Sequence, residues 1–521
     1  MTPEQLPSAV ALEAGVGGRH AWPLAWGVLL LWLACLLPNL QRNHLQDVDE
    51  LSYARVAKSA AVDGQWWPLI QRGQPFFEKP PLLVWLAAAT AKLSGQPNAE
   101  WPYRVWTALG AGLALASLAW LVAKAGGKAV GALAALLLAL QGDFLFHARF
   151  FSFDAPFLGC ALASLALAYR AAEDPRRRAW AWAGAALAAA VCFKSWFVLG
   201  VAPAYAFAVI WALPPGQRHR AWSGLGLPVL AALGAYVALY TAWSGWSFLA
   251  QEWGFNLLGR ALGHSNEVDP QGHAAFYLKW GQRSVPALLP LVLSLPLWLL
   301  PQRGEQGGRG FVRAWTWAFC VSWLVGLTGV RAETINYLLA LEAGLCLALG
   351  LVWSEARAQR RQGRLAALLL LAALAQLRLW GPGTSLALGL GLGLLGLAWR
   401  DGPGVTGGHA SAPPRVQMRS WAPALAAAGL LFALSREAWP LLRRPLDPSR
   451  EVAEILLAHP ARYPGETLLV IGPPTQAPEF YASQRVQRLQ ALPVKRPLQA
   501  ALVHTQQGWV YYPAQSAVPT E

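Results

Sequence analysis

The hydrophobic pattern of the chain consists of long apolar runs separated by shorter polar stretches. Many of the runs are about 15–20 residues long, the length that a helix needs to cross a hydrocarbon core of about 30 Å. The composition agrees, because 55% of the 521 residues are hydrophobic and only 13% are charged, roughly half the charged fraction of a typical soluble domain. The sequence therefore predicts an all-α polytopic membrane protein.

The orientation of the predicted spans follows from short loops rich in lysine and arginine, which stay on the cytoplasmic side of a membrane. The basic residues of these loops are Lys124, Lys128, Arg176, Arg177, Arg178, Arg218, Arg220, Arg303, Arg309, Arg313, Arg357, Arg360, Arg361, Arg364, Arg400, Arg415 and Arg419. Pairs of apolar runs between consecutive basic loops give about thirteen spans, with the N-terminus inside and the C-terminus outside. Pro80–Leu93 is apolar but, at about 14 residues, short for a crossing, and we interpret it as an interfacial or re-entrant helix.

The predicted organisation has three parts: a cytoplasmic N-terminus over residues 1–20, a transmembrane domain over 21–445, and a small outer domain over 446–521. Long outer loops over 41–103 and 244–283 hold the densest mixture of charged and aromatic side chains. Loops of such length are usually functional or disordered, and these are too aromatic and apolar for disorder.

The C-terminal segment has the patterns of a small α/β domain. Pro448–Ala458 has the apolar spacing of a helix. Thr467–Gly472 and Trp509–Pro513 have the composition of strands. Because about 75 residues make only a small core, we expect this domain to dock against the outer loops.

Charge and cysteine content exclude several functions. The net charge of +15 does not indicate a nucleic-acid partner, because the cations lie in the short loops between spans. The five cysteines lie in or beside apolar stretches, a pattern that indicates neither a structural disulfide nor a CxxC metal cluster. No glycine-rich phosphate loop marks a nucleotide cofactor.

Two acidic positions are candidates for chemistry. Asp49 and Glu50 lie in the first turn of a predicted helix, and Asp154 opens a predicted span on the same side of the membrane. An ionisable group near a bilayer is a functional hypothesis by default, because charge there is costly. Helix capping is the alternative interpretation of both positions. Only one of two adjacent helical residues faces a pocket well, so we expect Asp49 to matter more than Glu50.

Two lysines are candidates for binding an anion. Lys79 follows Glu78 and precedes Pro80-Pro81, which restrict the backbone there, and Lys194 interrupts an apolar run. A lysine beside the membrane is suited to bind phosphate. The alternatives are a surface ion pair between Glu78 and Lys79 and a snorkelling Lys194.

In order and spacing, these motifs resemble the GT-C glycosyltransferases of the bacterial protein O-mannosyltransferase and lipid A aminoarabinose transferase family. The matching segments are Asp49-Glu50, Tyr53-Ala54, Gly64-Gln65-Trp66, Phe77-Glu78-Lys79-Pro80-Pro81, Arg149, Asp154-Ala155-Pro156, Phe193-Lys194-Ser195, Asn256–Arg260 and His273–Tyr277. The resemblance covers residues 20–350 by motif and the remainder by layout. Arg331–Gly344 lacks the prolines of the family pattern, which leaves the acceptor subfamily open.

The resemblance implies a polyprenyl-phosphate sugar as donor, with no nucleotide, and a membrane lipid or other cell-envelope molecule as acceptor. Asp49 and Asp154 would flank the sugar, with Glu50 beside them. Tyr53 and Tyr277 would line the pocket. Cations would stabilise the departing phosphate; they are Lys79, Lys194, Arg149 and Arg260. The resemblance also admits a divalent metal ion, held by Glu78 and His273.

The implied location is the bacterial inner membrane, with the active site on the periplasmic side. The implied acceptor is lipid A or another glycolipid, and the alternative is transfer to a protein. A flippase or transporter of lipid-linked sugars is a further alternative. Transporters place polar groups and broken helices near mid-membrane, whereas the charges here collect on one face.

Overall fold

The computed structural model describes residues 21–41, 45, 49–71, 73–139, 141–174, 177–252, 254, 305–329, 338–358, 448–458, 467–471, 485–488, 501–505 and 508–512. By packing, the chain divides into two compact units. Unit 1 comprises residues 1–33, 110–146 and 154–441, and unit 2 comprises residues 34–109, 147–153 and 442–521. The predictions for Arg260, His273 and Tyr277 fall outside the described residues.

Helices account for the described part of the membrane region. In chain order they are α1 (Ala21–Leu36), α2 (Asp49–Val62), α3 (Leu82–Ser94), α4 (Trp101–Gly126), α5 (Lys128–Ala139), α6 (Gly142–Arg149), α7 (Asp154–Glu173), α8 (Arg177–Phe193), α9 (Val198–Ala212), α10 (Pro215–Ser244), α11 (Trp246–Leu249), α12 (Gly307–Gly329) and α13 (Leu338–Ala358). A one-turn 3-10 helix, Ser195–Phe197, joins α8 to α9.

Six helices among the described residues are long and apolar enough to cross a membrane. They are Ala21–Asn39, Trp101–Gly126, Asp154–Glu173, Ser195–Ala212, Pro215–Ser244 and Gly307–Thr328. The helices α5 and α6 would make a seventh span, although they are bent by 74°. The predicted polytopic, all-α membrane class is confirmed. The total of about thirteen spans stays a prediction, because it includes segments outside the described residues.

The segment that the sequence assigns to an interfacial or re-entrant helix forms α3. This helix has 13 residues, fewer than the roughly 20 that a crossing needs. Pro81 precedes its first residue, and Gly95 ends it with φ +66°, a left-handed conformation that glycine adopts without strain. Its position at the membrane surface stays a prediction.

Small residues allow the helices of unit 1 to approach closely. A Cβ atom on Gly184 of α8 would lie 2.0 Å from the carbonyl oxygen of Gly224 on α10. A Cβ atom on Gly110 of α4 would lie 2.5 Å from the Cα of Pro156 on α7. Such glycine contacts are typical of membrane helix packing, where van der Waals contact replaces the hydrophobic effect. The second contact holds the beginning of α7, two residues after Asp154.

Unit 2 contains the predicted first outer loop, residues 41–103. The helix α2 packs against α3, and a short antiparallel hairpin joins β1 (Ile70–Gln71) to β2 (Gln74–Pro75). The Gln71 side-chain amide donates a hydrogen bond to the Ser52 hydroxyl, which attaches the hairpin to α2.

The C-terminal residues form the predicted α/β domain. It contains α14 (Pro448–Ala458) and a four-stranded sheet of β3 (Thr467–Ile471), β4 (Arg485–Arg488), β5 (Ala501–Thr505) and β6 (Gly508–Tyr512). The strand order is β4-β3-β5-β6, with β3 parallel to β4 and β5, and with β5 antiparallel to β6. The sequence predicted α14, β3 and β6. It did not predict β4, whose four residues include two arginines, or β5. The boundaries 1–20, 21–445 and 446–521, and the docking of this domain, stay predictions.

Candidate active site

The beginning of α2 presents two adjacent carboxylates in different environments. Asp49 is exposed, whereas Glu50 has 0% exposure. Glu50 accepts two hydrogen bonds from Arg104 of α4, from Nε at 2.6 Å and from Nη2 at 2.9 Å. It also accepts the backbone N–H of Phe151 at 2.9 Å. Asp49 is therefore the exposed member of the pair and Glu50 the buried one, and the greater importance of Asp49 stays a prediction.

The Glu50–Arg104 ion pair connects distant parts of the chain within unit 2. Arg104 also donates to the backbone carbonyl of Leu40 at 2.9 Å. A bidentate arginine–carboxylate pair is strong and geometrically specific. It joins the residue that follows the first span, the first turn of α2 and the segment before α7. The sequence did not identify Arg104, because an arginine in the first turn of an apolar helix is also typical of an interfacial anchor.

Lys79 lies near an aromatic cluster in unit 2. Its Nζ is 5.9 Å from the centre of the Tyr53 ring, within the range of a cation–π contact. The Tyr53 ring also makes edge contacts with Phe76, at 5.9 Å between centroids, and with Phe153, at 5.0 Å. Glu78 is exposed and Lys79 is half-buried. The predicted pocket residue Tyr53 and the predicted phosphate ligand Lys79 are thus neighbours.

Asp154 and Lys194 form an ion pair in unit 1. Lys194 Nζ lies 2.5 Å from Asp154 Oδ1, and both side chains are largely buried. The ammonium also lies 3.6 Å from the centre of the Phe197 ring. With 8% exposure, Lys194 does not extend to water as a snorkelling lysine would. The pair brings together two residues that the sequence assigned separately to acid and phosphate-binding roles.

A second buried carboxylate lies near the turn that holds Lys194. Glu252, which follows α11, accepts hydrogen bonds from Trp196 Nε1 at 3.0 Å and from the Tyr236 hydroxyl at 2.8 Å. No sequence motif described above includes it. A signal was present, because Glu252 is the first acid after α10 and lies in an aromatic stretch, Trp246–Trp253.

The remaining candidates are Arg149 for the phosphate and the pair Glu78 and His273 for a metal ion. Arg149 is the last residue of α6 and is half-buried. For the metal, Glu78 is exposed and His273 lies outside the described residues. Among the residues that the structure describes, no group of three His, Cys, Asp or Glu side chains could hold a metal ion. A metal held by Glu78 and His273 stays a prediction.

Comparison with a family model identifies part of the chain. Residues 78–246 match the model described as dolichyl-phosphate-mannose-protein mannosyltransferase. The match covers less than half of the chain and includes Lys79, Asp154 and Lys194, but begins after Asp49. No curated protein matches the chain significantly in sequence.

Solved structures share the fold over most of the chain. ArnT from Cupriavidus metallidurans bound to undecaprenyl phosphate matches with a TM-score of 0.65 and 16% identity, over 94% of each chain. ArnT from the same organism in the apo state matches with a TM-score of 0.58 and 17% identity, over 89% of this chain and 85% of that one.

A more distant fold relative is the oligosaccharyltransferase AglB from Archaeoglobus fulgidus, in complex with an inhibitory peptide and a dolichol-phosphate. It matches with a TM-score of 0.50 and 14% identity, over 90% of this chain and 64% of that one. Together with the family model, these likenesses confirm the predicted GT-C fold and the glycosyltransferase class.

Proposed function

We propose that this multi-pass membrane glycosyltransferase of the GT-C fold transfers a sugar from a polyprenyl phosphate to an acceptor of the cell envelope. The observation that supports it most is the largely buried Asp154–Lys194 pair, at the first residue of one candidate span and immediately before another. Charge in that position is costly and is typical of a functional site.

The donor phosphate has two proposed ligands. Lys79 lies over the Tyr53 ring and is half-buried, and Lys194 is largely buried against Asp154. A lysine beside the membrane is suited to bind phosphate. Support for this donor class comes from the fold relatives, since one ArnT structure contains undecaprenyl phosphate and the AglB structure contains a dolichol-phosphate.

The reaction that fits these groups is a displacement at the anomeric carbon. An acceptor oxygen forms a bond to that carbon while the bond to the phosphate oxygen breaks. The bonding electrons leave with the polyprenyl phosphate, which gains one negative charge. A fixed cation in a water-poor site stabilises that charge. When the acceptor is a hydroxyl, a carboxylate takes its proton as general base, and we assign this role to the exposed Asp49.

The other two carboxylates have different proposed roles. Asp154, held against Lys194, orients the sugar and keeps the lysine in place. Glu50 uses both of its oxygens to bind Arg104 and the backbone of Phe151. We therefore propose that it positions Asp49 and the segment before Asp154, and takes no proton itself.

The acceptor that we propose first is lipid A or another envelope glycolipid. The fold likeness to ArnT, which extends over 94% of both chains, favours it. The second candidate is a protein, because the matching family model describes a protein mannosyltransferase. In either case we place the protein in the bacterial inner membrane with its site on the periplasmic side, following the distribution of basic loops. Neither the family model nor these folds favours a flippase.

The test uses purified protein in detergent with an undecaprenyl-phosphate sugar and candidate acceptors. We expect release of undecaprenyl phosphate, and a loss of at least about a hundredfold in Asp49→Asn, the scale of a lost general base. Asp63→Asn is the matched control, because Asp63 is an exposed acid directly after the same helix. Near-native transfer by Asp49→Asn would exclude Asp49 as the base. Mass spectrometry of envelope glycolipids and glycoproteins, with and without the protein, identifies the acceptor.

A further inference from the structure

Glu252 is a buried carboxylate that the proposed reaction does not use. It is 2% exposed, and each of its oxygens accepts one hydrogen bond, from Trp196 and from Tyr236. An ionised carboxylate removed from water is costly unless it is well compensated. A buried carboxylate at this position therefore indicates a role beyond packing.

The partners of Glu252 lead directly to Lys194. Trp196 lies in the 3-10 helix Ser195–Phe197, and Lys194 is the residue immediately before that helix. Through the indole of Trp196 this turn is tied to Glu252, which also accepts a hydrogen bond from the Tyr236 hydroxyl of α10.

Aromatic packing keeps this network rigid. The Tyr236 ring makes edge contacts with Tyr240, at 5.2 Å between centroids, and with Phe248, at 5.4 Å. Tyr240 and Phe248 stack on each other at 4.9 Å. Aromatic pairs in edge and stacked geometries stabilise beyond the apolar area that they bury. The carboxylate is therefore fixed by residues of α10 and α11. It binds in turn the 3-10 helix that follows Lys194.

Trp196 and Tyr236 donate to different oxygens of Glu252. A glutamine can keep both contacts, because its oxygen can accept from the Trp196 indole while its NH₂ group donates to the Tyr236 hydroxyl, which is both donor and acceptor. A leucine of similar size offers neither contact. Glu252→Leu therefore removes the connection between Trp196 and Tyr236, whereas Glu252→Gln keeps it and removes only the charge.

We propose that Glu252 is a positioning residue for Lys194: by fixing the 3-10 turn through Trp196 and Tyr236, it keeps the ammonium against Asp154. The effect on the ion pair is independent of the reaction. The effect on transfer rests on the proposed function, because it requires that Lys194 bind the donor phosphate.

The first experiment measures the ion pair itself. A double-mutant cycle with Asp154→Asn and Lys194→Met gives their coupling in thermal unfolding of the purified protein in detergent. We expect Glu252→Leu to reduce that coupling by more than half, and Glu252→Gln to reduce it less. Glu173→Leu is the control, since Glu173 is an exposed carboxylate at the end of α7 that accepts the backbone N–H of Gly308. An unchanged coupling in Glu252→Leu would overturn the proposal.

The second experiment measures transfer from an undecaprenyl-phosphate sugar. Glu252→Leu should lower kcat/KM by on the order of 10- to 100-fold, as expected when a reacting group is misplaced by about 1 Å. In a Lys194→Met background the same change should have no further effect. Equal losses in both backgrounds would show that Glu252 acts independently of Lys194. If the coupling falls but the unmodified protein transfers no sugar, the proposed function fails and the positioning role stands.

Discussion

Arg104 donates two hydrogen bonds to the carboxylate of Glu50, at 2.6 Å and 2.9 Å, across 54 positions of the chain. Both side chains are almost completely buried. Removing one partner of such a pair leaves an uncompensated charge, which costs about 3–5 kcal/mol. The buried acid of the pair Asp49-Glu50 is therefore the structural one.

Glu50→Gln should lower stability because it breaks the ion pair with Arg104. We expect the free energy of unfolding to fall by about 3–5 kcal/mol, measured by thermal unfolding in detergent. The double variant Glu50→Met with Arg104→Met should recover much of the loss, because an apolar pair of similar volume carries no unpaired charge. The sequence predicted a mild effect of Glu50→Gln on activity relative to Asp49→Asn. An unchanged midpoint in the single variant would contradict the structural role.

The Asp154–Lys194 pair predicts a joint loss of activity and stability in Asp154→Asn. Asparagine caps a helix about as well as aspartate, so a simple cap would show little change. With Lys194 buried beside it, we expect lower thermal stability and a fall in transfer of about a hundredfold or more. The double variant Asp154→Leu with Lys194→Met should regain stability but not activity. Native turnover in Asp154→Asn would remove this residue from the site.

Lys79 is expected to contribute to donor binding. Lys79→Ala should weaken the inhibition of transfer by added undecaprenyl phosphate, because it removes a cation that compensates the phosphate near the bilayer. Lys79→Arg should recover part of the affinity, since the two cations differ in shape and hydration. The matched control is Lys92→Ala: Lys92 lies in the same predicted outer loop, with Nζ 5.8 Å from the centre of the Trp66 ring. Equal effects of the two alanine variants would contradict a specific role for Lys79.

Lys58 of α2 predicts a pH dependence of stability. Burial lowers the pKa of Lys58 from 10.5 to about 8, although Asp63 partly opposes the shift. Between pH 8 and 10.5 the unfolded chain binds more protons at this site than the folded chain, so stability rises with pH in that window. Below pH 8 the destabilisation is fully present. The thermal midpoint of Lys58→Met should exceed that of the unmodified protein at pH 7, and the difference should vanish near pH 10.5. A constant difference across the window would contradict this account.

The close approach of α4 and α7 predicts that Gly110 tolerates no side chain. A Cβ atom at Gly110 would lie 2.5 Å from a backbone atom of Pro156, so one helix must shift. We expect Gly110→Ala to destabilise by about 1–3 kcal/mol, as overpacking does, and to lower transfer by displacing Asp154. In Gly226→Ala the new Cβ meets nothing within 4 Å, and the better helix propensity of alanine should stabilise by up to about 1 kcal/mol. Similar midpoints for the two variants would contradict the packing argument.

The features that could be predicted from the sequence are those that depend on the local hydrophobic pattern and on where charged residues can contact water. Apolar runs of spanning length, cations in short loops and the strand-like runs at the C-terminus predicted a polytopic membrane protein with a small α/β domain. The motif around Lys79 and the Asp154-Ala155-Pro156 segment predicted the GT-C fold. These features can be predicted from the sequence because the bilayer restricts each segment independently of its partners.

The pairing of the buried charged groups depends on the tertiary structure. Glu50 and Arg104 are 54 positions apart, Asp154 and Lys194 are 40 apart, and Trp196 and Glu252 are 56 apart. No local pattern distinguishes an exposed acid such as Asp49 from a buried one such as Glu50 in the same helical turn. That difference depends on which segments pack against each face of the helix. In unit 1, the packing of helices depends on close contacts such as that between Gly110 and Pro156. The partner of a buried charge is a property of the packed helices, because only the fold brings distant residues within a few ångströms.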